Sequence, residues 1–315
     1  MDAIAGLLDG PRAHGAFLLR SILDPPWCLR IQDDAPLTVL AVVRSHAWVT
    51  HDGADPVRLA AGDVAIACGP GHYAVADDPA TPPSVVIHPG QVCQTLDGED
   101  LAERMSLGVR TWGTSGAGEA VLLTGTYQEA GEISQRVLSA LPPLIVLPAA
   151  TWSSPLVPLL ADEMARDAPG QEAVLDRLLD LVLISALRAW FARPDGDAPG
   201  WYRALADPVV GRAIRLLQEH PAHPWTVAIL ADEVGLSRAA LARRFTELVG
   251  EPPMAFLTEW RLALAADLLR EPGTTIAAVA QQVGYGSPFA LSSAFKRVRG
   301  VSPQEHRRAA DPQAA

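Results

Sequence analysis

No apolar run in this 315-residue chain reaches the ~18 residues that a helix needs to cross a bilayer. The densest stretch, LVLISALRAWFA from Leu181, is shorter and carries Arg188, so no membrane partner is expected. The opening MDAIAGLLDGPRAHG lacks a basic start followed by an apolar core, the pattern of an export signal. Cysteine is scarce: Cys28, Cys68 and Cys93 are odd in number and form no C-x-x-C pair. That excludes a disulfide framework and a thiolate metal site, and points to a reducing cytoplasm. Lys296 is the only lysine among 25 basic residues, a bias we attribute to the base composition of the gene.

What the chain does have is core-forming material and unevenly divided charge. Hydrophobic residues make up 49%, too much for a disordered chain, and the length suits two domains. The net charge of −11 argues against a polyanionic partner until it is split. Residues 203–308 hold 13 Arg/Lys and 10 Asp/Glu, or +3. Residues 1–202 hold 12 Arg and 25 Asp/Glu, or −13, and Asp311 supplies the remaining −1. Local charge decides where a polyanion binds, so nucleic acid is expected to meet the C-terminal third.

That third contains an internal repeat. Residues 231–253 read ADEVGLSRAALARRFTELVGEPP, and residues 280–303 read AQQVGYGSPFALSSAFKRVRGVSP, with Gly286 as one extra residue. Gly235 then matches Gly284, Ser237 matches Ser287, Leu241 matches Leu291 and Phe245 matches Phe295. Each copy has the grammar of a helix-turn-helix. A short apolar-periodic helix ends at a glycine, a serine stands where an N-cap is wanted, and Pro288 suits a first helical position. Leucine and phenylalanine four apart lie on one face and can pack on the first helix. The outer face keeps small or basic side chains, which suit a major groove. A single hairpin of this kind is as often a plain packing unit; the duplication favours DNA. Residues 254–269 read as one connecting helix of roughly 24 Å, a strut comparable with the roughly 34 Å of one DNA turn.

These segments, LADEVGLSRAALARRF, WRLALAADLL, VAQQVGYGS and FKRVRGVSPQEHRR, resemble the AraC/XylS family of transcription regulators. The resemblance implies two recognition helices in successive major grooves of double-stranded promoter DNA. It implies contacts from Arg238, Ala239, Ala242 and Arg243 in the first unit, and from Ser287, Pro288, Phe289, Ser292, Ser293 and Lys296 in the second. The family often has arginine where Ser293 stands, so Arg243 is expected to do most of the direct reading.

Residues 37–128 carry a β signature. TVLAVVRSHAWV, VRLAAGDVAIAC, SVVIH and AVLLTGTY are short apolar or β-branched runs, separated by DGADP, CGPGH and DDPATPP, which is turn chemistry. Such a pattern argues a sandwich or barrel. LAAGDVAIACGPGHYAV, residues 59–75, resembles a cupin strand pair, so the chain is similar to the branch of the family with a cupin-like sensor. Metal-binding cupins present two histidines one residue apart, then a glutamate and a third histidine. Here His46 and His51 are five apart, which puts them on opposite faces of a strand, so neither metal nor cofactor is expected. His46, Trp48, His72 and Tyr73 are candidate effector-lining residues for an unknown small molecule.

Beyond the β region, helices are expected over residues 132–141, 153–166 and 171–192. The last has an apolar stripe broad enough to pack on the barrel and on a second copy, and the resemblance favours a homodimer. The expected fold class is therefore α+β in two domains. Residues 1–193 form a cupin-like barrel or sandwich with trailing helices, 194–202 a linker, and 203–310 an all-α domain with two helix-turn-helix units. The tail from Ala309 is expected to be disordered. The function expected is a cytoplasmic, non-enzymatic, sequence-specific regulator controlled by an effector, with RNA polymerase as a further candidate partner. Two alternatives stand beside it: a thiol-based redox sensor using Cys28, Cys68 or Cys93, and a metal-dependent cupin enzyme fused to a helical domain.

Overall fold

The computed structural model describes residues 16–128, 138, 141–193, 200–271 and 273–310. They form two compact units, one on either side of residues 194–199. Most of the helix expected at 132–141 lies outside the described residues.

The first unit is a two-sheet sandwich. Strands β1 (Phe17–Leu23), β3 (Leu37–Arg44), β6 (Val64–Cys68), β10 (Ser106–Gly108), β11 (Thr111–Gly113), β12 (Ala120–Tyr127) and β13 (Leu144–Leu147) form one sheet, in the order β10-β11-β1-β12-β3-β6-β13. The other contains β2 (Cys28–Ile31), β4 (His46–His51), β5 (Val57–Ala60), β7 (Tyr73–Ala76), β8 (Val85–His88) and β9 (Val92–Gln94), in the order β5-β4-β7-β2-β8-β9. The run TVLAVVRSHAWV is one stretch in sequence but two strands in space. It breaks at Ser45, whose φ of 66° turns the chain from β3 in one sheet to β4 in the other. Leu40, Val42, Ala65 and Leu122 from the first sheet meet Leu29, Val49, Val75 and Ile87 from the second in a common core.

Residues 37–42 of β3 are buried without alternation: the inner face meets that core, and on this sheet helix α1 (Leu156–Met164) packs against β1 and β3 while helix α2 (Gln171–Phe191) packs against β13. Gly125 on β12 permits the close approach. A Cβ there would come within 2.4 Å of Leu179 on α2, and next to it the Tyr127 hydroxyl donates to Asp180 at 3.1 Å.

The second unit is all helical: α3 (Gly200–Ala204), α4 (Val210–Glu219), α5 (Val227–Glu233), α6 (Arg238–Val249), α7 (Pro253–Arg270), α8 (Ile276–Gln282), α9 (Pro288–Arg299) and α10 (Pro303–Ala310). Two expectations change here. Gly200, Trp201 and Tyr202 belong to α3 rather than to a linker. Ala309 and Ala310 are helical, in a helix whose start is closed by a capping box. The Ser302 amide donates to Glu305 at 2.6 Å and the Glu305 amide to the Ser302 hydroxyl at 3.2 Å, satisfying two orphan donors reciprocally.

Candidate functional site

The repeat folds as two equivalent units. Thr226 caps α5 and Thr275 caps α8, each accepting an amide hydrogen bond at 3.1 Å, from Ile229 and Ala278. Ser237 accepts from the Ala240 amide at 3.3 Å and Ser287 from the Ala290 amide at 3.1 Å. Gly250 and Gly300 close α6 and α9 at φ 93° and 77°. Leu241 and Phe245 are buried with Leu230, Ile214 and Phe256 in one core. Leu291 and Phe295 are buried with Val279, Val283 and Leu269 in another. Helix α7 belongs to both, through Phe256 and Leu257 at one end and Leu262, Ala265 and Leu269 at the other. It is 18 residues long, or roughly 27 Å.

A clasp fixes this junction. Arg261 on α7 donates from Nε to the Pro221 carbonyl at 2.7 Å and from Nη2 to that of His223 at 2.9 Å. Gly284, the turn glycine of the second unit, has φ +83°, and a Cβ on it would lie 2.7 Å from Ala222 Cα and 2.9 Å from the Pro221 oxygen. At Gly235, its partner in the repeat, nothing lies within 4 Å.

On α6, Arg238, Ala239 and Arg243 are exposed and Ala242 is half-buried. The Arg243 side chain is 78% exposed, with Glu247 3.8 Å away as an i,i+4 partner. Exposed pairs of this kind are weak, so the guanidinium is free to move to a ligand. Arg244 is committed elsewhere: its Nη2 and Nε bond Asp207 at 2.5 and 3.2 Å. Asp207 also accepts from the amides of Val209 and Val210 at the start of α4. Burial raises this carboxyl, but the Arg244 and amide hydrogen bonds outweigh it and leave the pKa below its ordinary value. On α9, Pro288, Phe289, Ser293 and Lys296 are exposed, and Ser287 and Ser292 are half-buried. The Ser292 hydroxyl donates back to the Pro288 carbonyl at 2.8 Å.

The four effector candidates do not come together. Ala47 and Val49 of β4 point into the core, so His46 and Trp48 lie on the opposite, half-exposed face. Tyr73 is buried and its ring stacks on His51, centroids 5.0 Å apart. Of the four, only His72 lines a cavity of about 700 Å³, where the ends of β4 and β5, the loop before β7, β13 and the end of α2 meet. His51, Pro143, Leu144, Val146, Trp190 and Arg193 share its walls, which are mainly apolar. His51 Nε2 and Trp190 Nε1 are enclosed with no hydrogen-bond partner among the described residues. Burial holds the His51 imidazole below its ordinary pKa, against the pull of Asp52. The cavity escaped sequence reasoning because its walls come from segments as distant as His51 and Arg193. Among the described residues, no three of His, Cys, Asp or Glu are grouped closely enough to hold a metal ion.

Known proteins resemble the chain along its length. The family described as "Cupin" matches residues 2–192, and that described as "Helix-turn-helix domain" matches residues 230–309. A putative AraC-like transcription regulator of Streptomyces lividans is 36% identical, over 98% of each chain. The HTH-type transcriptional regulator AlkR of Acinetobacter baylyi is 28% identical, over 98% of this chain and 99% of its own. Among solved structures, the DNA-binding domain of AdpA, in complex with a target DNA, is 31% identical over 35% of this chain and 97% of that one, with a TM-score of 0.33. With a cupin domain filling its first three fifths and a duplicated helix-turn-helix after it, the chain belongs to the AraC-like transcription regulators.

Proposed function

We propose that this regulator reads promoter DNA through the outer faces of α6 and α9, and that a small molecule bound in the first unit alters that reading. The observation that carries the first half is the pair of capped helices on one shared helix, with Arg243 projecting from the first. Arg238, Ala239, Ala242 and Arg243, then Ser287, Pro288, Phe289, Ser292, Ser293 and Lys296, are the proposed contacts. A second copy would pair across Val174, Leu178 and Leu181, which form one stripe on α2; Val174 is 45% and Leu181 47% exposed. RNA polymerase is the onward partner in this reading.

Selection of bound DNA from a random pool, at several salt concentrations, tests the proposal. Sequence-specific retention with a steep salt slope is expected, and a dimer predicts that the recovered element occurs twice. Retention without sequence preference would overturn the reading.

The effector site we propose is the 700 Å³ cavity, a volume within the range of small-molecule sites. The unpaired Trp190 indole N–H and the His51 imidazole nitrogen favour a ligand that pairs a polar group with an apolar body. In a thermal-shift screen of small aromatic and aliphatic compounds, stabilising hits should lose their effect in Trp190→Ala and in Val57→Trp. Hits that stabilise both variants as well as the parent would move the site elsewhere.

The thiol reading has less support. Burial pushes the Cys68 thiol up to about 12 and Cys93 to about 11, and raises Cys28 as well. Neutral buried thiols are poor nucleophiles.

A further inference from the structure

The two groove-reading faces differ in chemistry, and the difference is concentrated in one side chain. Phe289 is 81% exposed, the most exposed large apolar side chain among the described residues. Water-exposed phenylalanine contributes nothing to the core of its own unit, where Leu291 and Phe295 do the packing. It stands at the second position of α9, just after Pro288, with the Ser287 cap fixing the start of the helix. That end of the second helix is the one that meets base edges in a helix-turn-helix. Pro288, Phe289 and Ala290 are all exposed there, an apolar tip where the first unit has Arg238, Ala239 and Ala240.

The rest of the α9 face offers little else to read with. Ser293 occupies the position of Arg243, and the Ser292 hydroxyl proton is given to the Pro288 carbonyl. Lys296 lies seven residues beyond Phe289, about 10 Å further along the axis. In the major groove only one base edge presents an apolar group, the C5-methyl of thymine.

We propose that Phe289 is the specificity-determining residue of the second unit, and that it recognises thymine through its 5-methyl group. The inference rests on the reading that α9 enters a major groove. The two half-sites would then be read by different chemistry, a hydrogen-bonding guanidinium at Arg243 and an apolar ring at Phe289.

The test uses the full chain and a duplex recovered by selection, with each thymine replaced in turn by deoxyuridine, which removes only the methyl. Wild type should lose about three- to fivefold in affinity at one or two thymines of a single half-site, the loss of about one buried methyl each. Phe289→Ala should bind the thymine and uracil duplexes equally, and Phe289→Leu should keep part of the discrimination. Because the side chain is exposed, both variants should melt like the parent. Specific binding that is indifferent to every thymine methyl would overturn this inference alone. So would methyl discrimination that survives Phe289→Ala, or unchanged DNA binding with lost transcriptional output, which would turn the ring toward a protein partner. Loss of all sequence-specific retention in the wild type would overturn the groove reading beneath it.

Discussion

Gly284→Ala should destabilise the second helix-turn-helix unit by roughly 3 kcal/mol, while Gly235→Ala at the matching turn should cost only about 1–2 kcal/mol. Both glycines have left-handed backbones, φ +83° and +72°, so both substitutions incur the strain of a Cβ in that region. Only at Gly284 would the new methyl also press on backbone, 2.7 Å from Ala222 Cα and 2.9 Å from the Pro221 carbonyl. Neither atom is the free end of a side chain, and Pro221 is held in place by Arg261. The strain cannot be relieved without moving the segment between α4 and α5 or releasing the clasp. Hydrogen exchange in the full chain, of the α8 and α9 amides for Gly284→Ala and of the α5 and α6 amides for Gly235→Ala, measures each local opening free energy directly. Equal protection loss in the two variants would mean that the close packing at Gly284 is not felt.

Arg243→Ala should relax sequence preference by about 1–3 kcal/mol at the base pairs under α6. Arg243 is exposed near the middle of that helix, and its one ion-pair partner among the described residues is Glu247 at 3.8 Å. A bidentate guanidinium contact with guanine is the commonest specific interaction in the major groove. The neighbouring Arg244 supplies the control. It is tied to Asp207 at 2.5 Å, so Arg244→Ala should loosen the hold of α6 on α4 and leave the selected sequence unchanged. Binding-site selection on the three proteins reads both effects. An unchanged logo for Arg243→Ala would count against its role, and a relaxed logo for Arg244→Ala would show that the Asp207 pair opens on DNA.

Much of the second unit is legible in the residue order, because its instructions are local. A capping serine, a turn glycine and an apolar pair four apart act within one or two helical turns, and writing them twice removed the ambiguity of either copy. The same local view could not separate Arg243 from Arg244, adjacent and chemically identical, since only the fold brings Asp207 to one of them. It also treated Gly235 and Gly284 as equals. In the first unit the strand runs and turns are readable, but which face of β4 meets the core is not. HAWVTH puts an apolar residue on each side, Trp48 on one and Val49 on the other, so alternation alone favours neither. His46 and Trp48, candidates for the lining, share the face opposite Ala47 and Val49, which occupy the interior.

From residue order alone came the two-part plan, the paired helix-turn-helix units, the β character of the first half and the placement of positive charge. Those follow from periodicity, capping and turn chemistry, whose range is a few residues. The tertiary structure decided which strands became neighbours, where the cavity opened, which arginine stayed free and which glycine was hemmed in by another segment's backbone. Each of those depends on groups far apart in the chain meeting at van der Waals or hydrogen-bond distance, and no local pattern encodes that meeting.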